Sequence, residues 1–269
     1  MFGRGPIAIL SAALLAAPAT AASADGAKPS SGGVDLTLGA GAAFVPEYEG
    51  SDEYHPVPAW NLRVGNLYGP NTYVSIRGLR LESNLLPSEN FRLGITAHYQ
   101  SDYDDVDDDA VSELERPSNA IQAGVVAGYE ITDDQHIQYG LEVEATYDVL
   151  HGNGALVTPR ARIRLPITQE VLFNSSIAVS WASSDYMSNR FGISDADAAR
   201  SGLRPFDTDA GFKDAELGLG VTYLITKNWS FSMSGSYQRM LEDAADSPIV
   251  DNRGSRDNFR AAALVNYHF

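Results

Sequence analysis

The sequence predicts an all-β protein, a transmembrane antiparallel up-and-down β-barrel. Apolar and polar side chains alternate with period two through almost all of residues 34–269, the signature of strands with two different faces. The alternating segments run to about 10–13 residues, near the about 9–11 that a tilted strand needs to cross a bilayer, where ordinary strands average about 5–6. The connections sort into tight turns ("TDDQ", "PITQE", "TKN") and long polar loops at 101–119, 184–212 and 241–257, as in outer-membrane barrels.

The elements follow in order. Residues 1–24 read as a cleaved signal peptide: Arg4 precedes the apolar run "PIAILSAALLAAPATAASA", which closes on Ala22-Ser23-Ala24, an A-x-A site. Residues 25–33 ("DGAKPSSGG") form a short periplasmic linker, and 34–269 the barrel. In the first strand Val34, Leu36, Leu38, Ala40, Ala42 and Phe44 share a face. In 91–100, Phe91, Leu93, Ile95, Ala97 and Tyr99 alternate with Arg92, Gly94, Thr96, His98 and Gln100. Similar faces recur at 120–131, 136–149, 155–166, 171–182, 213–225, 229–240 and 258–269. Outside the signal peptide, helical spacing never persists beyond about a turn. Tyr129, Tyr139, Tyr147, Trp181, Tyr223, Trp229, Tyr237 and Tyr267 fall near strand ends on the apolar face, where interfacial girdles form. Val265, Tyr267 and Phe269 point the last strand at lipid and mark it as the segment offered to the barrel-assembly machinery. That strand is expected to close against the first.

With 57–65 and 72–82 the count reaches eleven, yet bacterial single-chain barrels use an even number. The discrepancy falls in 57–82, where Gly65, Gly69, Pro70 and Gly78 can divide the stretch into three short strands. Twelve strands are expected, with ten as the alternative; 45–57 is expected outside and 83–90 as a periplasmic turn.

The polar faces of 137–149 and 155–166 carry Glu142 and Glu144 on one strand and Arg160, Arg162 and Arg164 on the other. These charges cannot face lipid, so they line a lumen. Pairing across "HGNG" is expected to set Glu144 opposite Arg160 or Arg162, and Glu142 opposite Arg162 or Arg164, since opposite charges across strands stabilise the pair. The ladder either braces the wall or filters ions; paired charges leave little net field, which favours bracing.

The chain has no cysteine, so disulfides and thiolate metal sites are excluded. A formal charge of −16 argues against nucleic acid as a partner. The five histidines include His98, facing the lumen, and His55, in a loop, but none belongs to a local motif with a nucleophile. No catalytic residue, cofactor or metal site is assigned, and the protein is expected not to be an enzyme. The acidic run at 101–116 lacks EF-hand spacing and reads as a solvated loop, with weak calcium binding beside lipopolysaccharide as the alternative.

Two stretches carry more than architecture. "FVPEYEGSDEYHPVPAW" (44–60) resembles the P-x-Y-x-G-S-D…P-x-P signature of the MipA/OmpV family of MltA-interacting outer-membrane proteins. The segment 201–250, with "LEDAADSPIV" close to the family's "LLGDAADSP" string, resembles its C-terminal half; Glu242 stands where that string has Gly. The resemblance implies an outer-membrane barrel in contact with lipid and lipopolysaccharide, and a scaffold joining murein hydrolases and synthases. A narrow solute channel is the alternative function, a membrane enzyme a more distant one. Pro46, Tyr48, Gly50, Ser51 and Asp52, with Asp243, Asp246, Ser247 and Pro248, are the matching motif residues; their types are those that order turns.

Overall fold

The computed structural model describes residues 34–100, 106–115 and 119–269. The expected signal peptide (1–24) and linker (25–33) lie outside the described residues, as do 101–105 and 116 of the acidic run.

Twelve antiparallel strands close into one barrel in sequence order, β12 returning to β1. They are β1 (Asp35–Pro46), β2 (Tyr54–Gly65), β3 (Tyr73–Arg77), β4 (Arg80–Asn84), β5 (Phe91–Gln100), β6 (Ala120–Thr132), β7 (Gln138–Asp148), β8 (Ala155–Pro166), β9 (Val171–Ala182), β10 (Gly211–Leu224), β11 (Trp229–Met240) and β12 (Asp257–His268). Alternation does the sorting. Leu38, Phe44, Phe91, Leu93, Ile95, Leu141, Val143 and Ile177 are exposed on the outer face, while Thr37, Arg92, Thr96, Glu142, Thr146 and Ser176 are buried inside. An exposed apolar exterior around a polar interior inverts a soluble core and fits lipid outside. Tyr129, Tyr139, Tyr147, Trp181, Tyr223 and Trp229 are likewise exposed, and Trp229, Tyr267 and Phe269 stack edge to face at the end where β12 finishes. The Phe269 N–H donates to the Leu36 carbonyl, tying β12 to β1.

The twelfth strand is where Gly78 allows it. Gly78 adopts φ 50° and splits 72–82 into the short hairpin β3–β4. Its N–H donates to the Trp60 carbonyl and the Tyr99 N–H to the Leu79 carbonyl, which seats the hairpin tip between β2 and β5. The Trp60 carbonyl therefore points away from β1, and with it every second backbone position of β2. Pro56 and Pro58 occupy the positions above Trp60 in that series, where an N–H would face the open edge beyond the tip. Proline has no N–H to leave unsatisfied and blunts an edge strand. The same prolines hid the true start of β2, three residues before the Val57 that alternation alone supplies.

Among the described residues the long loops hold five short helices, of which α2 and α3 exceed the single turn expected of helical spacing: α1 (Asp109–Ser112), α2 (Ser184–Phe191), α3 (Asp195–Ser201), α4 (Glu242–Asp246) and α5 (Pro248–Asp251). Side-chain caps start all of these but α4. The Ser183 hydroxyl accepts from the Tyr186 N–H at the head of α2, Ser194 and Asp197 form a capping box on α3, and Gly202 ends it with φ 74°. Nor are these loops polar throughout. Tyr186, Met187, Phe191, Met240, Ala244 and Val250 bury together with Leu156 and Ala182 at the barrel rim. Tyr48, Val111, Leu114, Ile193 and Ile249 form a second core. The loops thus fold into a cap over the mouth opposite the strand turns.

Candidate functional site

Two constructions occupy the barrel: a charged network across the lumen, and the cap above it. The network starts from Glu142, whose carboxylate accepts from Arg92 at 2.7 Å, Arg162 at 3.1 Å and Arg160 at 3.2 Å. Arg92 also reaches Glu82 at 2.8 Å, Glu130 at 3.6 Å and the Tyr73 hydroxyl. Arg77 pairs with Glu82 at 2.9 Å, Arg162 with Glu130, and Arg80 with Glu144. These side chains come from β3 through β8, so the network stitches six consecutive strands. The Arg63 guanidinium lies 3.7 Å from the Tyr73 ring centroid, a cation–π contact.

The predicted ladder is present, but its register differs. Glu142 faces Arg160, Glu144 faces Thr158, Gly140 faces Arg162 and Gln138 faces Arg164. The turn between the strands explains the shift. The Asp148 carboxylate accepts from Leu150 N–H at 3.0 Å and Asn153 N–H at 3.2 Å, ending β7 before Val149. Gly152 and Gly154 take φ 73° and 98°, conformations that favour glycine, so the loop takes Val149 from the strand and pairing with β8 begins only at Tyr147 and Ala155. Arg164 makes no ion pair among the described residues. Glu144 finds its arginine on β4 instead of β8.

The sequence reasoning missed Arg77, Arg80, Glu82 and Glu130, and placed Arg92 on the polar face without assigning it a partner. The signal was available: each lies at the inward parity of its strand. What hid it was distance, since Arg92 and Glu142 are separated by 50 residues. The facing half of the lumen is built differently. Asn174, Ser176, Thr222, Ser232, Ser236 and Asn266 are short, buried and polar. Gly220 leaves room for the Asn174 amide, and Gly39 for the amides of Asn61 and Asn266. Long ionic side chains from one half reach toward short side chains on the other, filling the interior. A cavity of about 140 Å³ remains between network and cap, touched by Arg80, His98, Glu144, Arg160 and Lys213.

The cap is bolted down through Glu49. Its carboxylate pairs with the Lys213 ammonium, accepts from the Tyr186 hydroxyl at 3.3 Å and from Gln238 at 3.3 Å. Lys213 also pairs with Asp214, which accepts from Gln238 at 2.7 Å. Burial works against the charge on Glu49, but Lys213, with Arg260 and Arg190 behind it, outweighs burial and holds the carboxyl down at about 2. Burial and the Glu49 charge together push the Tyr186 phenol up to about 12, so it donates throughout the physiological range.

The motif residues converge in this cap although about two hundred positions separate them. The Gly50 N–H donates to Asn258 Oδ1 at 2.8 Å, the Ser51 carbonyl accepts from Asn258 Nδ2 at 2.9 Å, and the Ser255 N–H donates to the Gly50 carbonyl. The Tyr48 hydroxyl donates to the Arg253 carbonyl at 3.2 Å. Ser247 is fully buried and donates to the Phe191 carbonyl at 2.6 Å; Pro248 opens α5. Asp243 accepts from the Asp209 N–H at 2.8 Å and Asp246 pairs with Arg256 at 3.1 Å. Pro46 closes β1, and Asp52 is exposed. Glu242 has φ 45°, which accounts for the glycine expected at that place in the family string. Its carboxylate accepts from the Phe212 N–H at 2.8 Å. At the other end, Val265 and Phe269 are exposed on the outer face of β12.

The sequence matches the family described as MltA-interacting protein MipA over residues 38–269. The MltA-interacting protein of Escherichia coli (strain K12) is 25% identical over 242 residues, 88% of this chain and 92% of that protein. Outer membrane protein OmpV of Vibrio cholerae is 34% identical over 91 residues, 34% of each chain. Among solved structures, the NanC porin aligns with a TM-score of 0.43 at 10% identity, over 87% of this chain and 99% of that one. An outer membrane channel of Pseudomonas putida F1 aligns with a TM-score of 0.44 at 11% identity, over 88% and 95%.

Proposed function

The chain belongs to the MltA-interacting protein family MipA as a twelve-stranded barrel of the outer membrane, and on that premise we propose that it is an anchored interaction protein for murein hydrolases and synthases, not a conducting pore or an enzyme. The observation that carries this reading is the filled interior: an ionic network crosses the lumen and a folded cap with its own apolar cores covers the mouth. A barrel closed in this way offers its surfaces rather than its bore. The E. coli relative is named for interaction with MltA, which supports a partner of that kind.

The periplasmic end supplies a docking face. The connections 66–72 and 85–90 are knitted together: the Tyr68 hydroxyl donates to the Leu85 carbonyl at 2.8 Å, Asn71 to the Ser88 carbonyl at 3.1 Å, and Asn84 to the Asn71 carbonyl at 2.8 Å. Leu67, Tyr68 and Leu85 stand exposed on this platform, the tyrosine at 59%. Exposed aromatic and aliphatic groups on a hydrogen-bonded base suit a protein partner.

A photo-crosslinking side chain at position 68, activated in intact cells, tests the proposal. Recovery of a lytic transglycosylase or a penicillin-binding protein is expected, and a matched probe at the lipid-facing position 141 recovers neither. Capture of no murein enzyme from position 68 or from the other periplasmic turns overturns the reading. Single-channel recording tests the closed lumen: discrete conductance steps from the purified protein favour a channel instead.

A further inference from the structure

Glu47, His55 and Asp107 come together on the outer side of the cap and take no part in the lumen network. Glu47 follows the last residue of β1, and its N–H donates to the Glu53 carbonyl, which folds the turn so that His55 on β2 stands beside it. Asp107 arrives from the β5–β6 connection, its N–H donating to Glu47 Oε1 at 2.9 Å. His55 Nε2 lies 3.5 Å from Glu47 Oε1 and 3.9 Å from Asp107 Oδ2, and one donor atom from each residue falls within 4.8 Å of the others.

The second observation concerns what these atoms lack. The Glu47 side chain is only 9% exposed, yet its Oε2 has no hydrogen-bond partner, and His55 Nε2 has none either. Buried polar atoms are nearly always satisfied, so an orphan carboxylate oxygen and an orphan imidazole nitrogen on two neighbouring side chains call for a missing partner. A divalent cation supplies what both atoms lack at once. It satisfies both orphan atoms and neutralises the converging carboxylates.

We propose that Glu47, His55 and Asp107 form a zinc site that staples the β5–β6 connection to the β1–β2 turn, with water completing the coordination. Imidazole with two carboxylates matches zinc, whereas calcium and magnesium prefer sets made only of oxygen. A tetrahedral ion about 2.0–2.2 Å from each ligand holds its donors about 3.3–3.6 Å apart. The 3.5 Å from His55 Nε2 to Glu47 Oε1, the oxygen that also accepts the Asp107 N–H, already meets this, and the 3.9 Å from His55 Nε2 to Asp107 Oδ2 needs a closure of a few tenths of an ångström. Asp108 is not part of the set, being committed to Arg253 at 3.0 Å and to the N-terminus of α1.

The test uses the full-length mature protein in detergent, stripped with chelator and titrated with zinc chloride by calorimetry, and with cobalt(II) for its visible spectrum. One saturable equivalent of zinc and a tetrahedral cobalt band are expected, undisturbed by excess calcium or magnesium. His55→Ala and Glu47→Gln abolish both signals, while Asp52→Asn, an exposed carboxylate on the same turn, leaves them intact. Heat-modifiable electrophoretic mobility confirms that each variant is folded. Limited proteolysis supplies a second readout: zinc protects the 106–115 stretch in the parent and not in His55→Ala. No saturable zinc heat, binding that survives His55→Ala, or displacement of zinc by calcium overturns the proposal.

Discussion

Truncating Glu142 to alanine separates a bracing network from a wet, screened one. The carboxylate meets three guanidinium groups, but the loss is not three ion pairs. Arg92 keeps Glu82 at 2.8 Å and Glu130 at 3.6 Å, and Arg162 keeps Glu130. Arg160, only 9% exposed, has Glu142 as its one carboxylate partner among the described residues and is left stranded. The expected cost is therefore that of breaking one buried pair, about 3–5 kcal/mol. Glu142→Gln keeps an acceptor oxygen and should lose less, about 1–3 kcal/mol. Removing the stranded charge as well makes the double variant Glu142→Ala/Arg160→Ala more stable than the sum of the single losses requires, because neighbours in one network couple. Urea unfolding in lipid vesicles, followed by tryptophan fluorescence and heat-modifiable mobility, measures all four proteins. If Glu142→Ala unfolds within about 1 kcal/mol of the parent, the charges are screened as at a surface and the bracing argument fails. Strict additivity in the double variant refutes it equally.

Other perturbations address the cap. Glu49 has a depressed pKa, so its ion pairs stabilise the folded state fully above its ordinary value of 4.5, and that contribution disappears as pH falls through about 2. Acid unfolding monitored between those limits should be steeper in the parent than in Glu49→Gln, and equal slopes would exclude the linkage. Gly50 has φ 95°, and an added Cβ would stand 2.5 Å from a Val250 methyl, so Gly50→Val should cost about 1–3 kcal/mol. The loss appears as faster proteolysis within 241–256 while the barrel keeps its mobility shift. Ser247→Ala removes the buried bond to the Phe191 carbonyl at 2.6 Å, for about 1–2 kcal/mol, read as earlier thermal loss of the cap signal in near-ultraviolet circular dichroism.

The barrel was legible because period-two alternation is a local property, written residue by residue from Leu36 to Phe269. The strand count was harder, since Pro56, Pro58 and Gly78 break that pattern for reasons that exist only in the closed sheet: an edge to blunt and a tip to turn. The ladder was half legible. Glu142 and Arg160 are neighbours across one hairpin, and the sequence points to them, but Arg92 and Glu82 join only after strands wrap around the lumen. Register escaped because a single side chain, Asp148, decides where β7 stops. The cap was read as polar loop because its apolar residues are sparse and irregular. Tyr48, Val111, Ile193 and Ile249 become a core only when four loops from different hairpins meet. His55 was read as a loop histidine outside any local motif with a nucleophile, since Asp107 reaches it only from the β5–β6 connection.

The convergence of the two end motifs follows from closure itself. When β12 pairs with β1 along Thr37–Phe44, the connection after β1 and the one before β12 must lie side by side at the same mouth. Residues near 50 and near 255 are then neighbours whatever their separation in the chain. The shared bonds Gly50–Asn258, Ser51–Asn258 and Gly50–Ser255 exploit that position, and they lie at the seam where the first and last strands join. A pore needs that mouth open. Here the motif residues fold the loops inward, Glu49 is carried down onto Lys213, and Tyr186 follows it into the rim. Apart from the exposed Asp52, the motif residues are committed to the cap and not free to recognise a ligand, which directs the search for a partner to the other end of the barrel, where Tyr68 and its neighbours remain exposed.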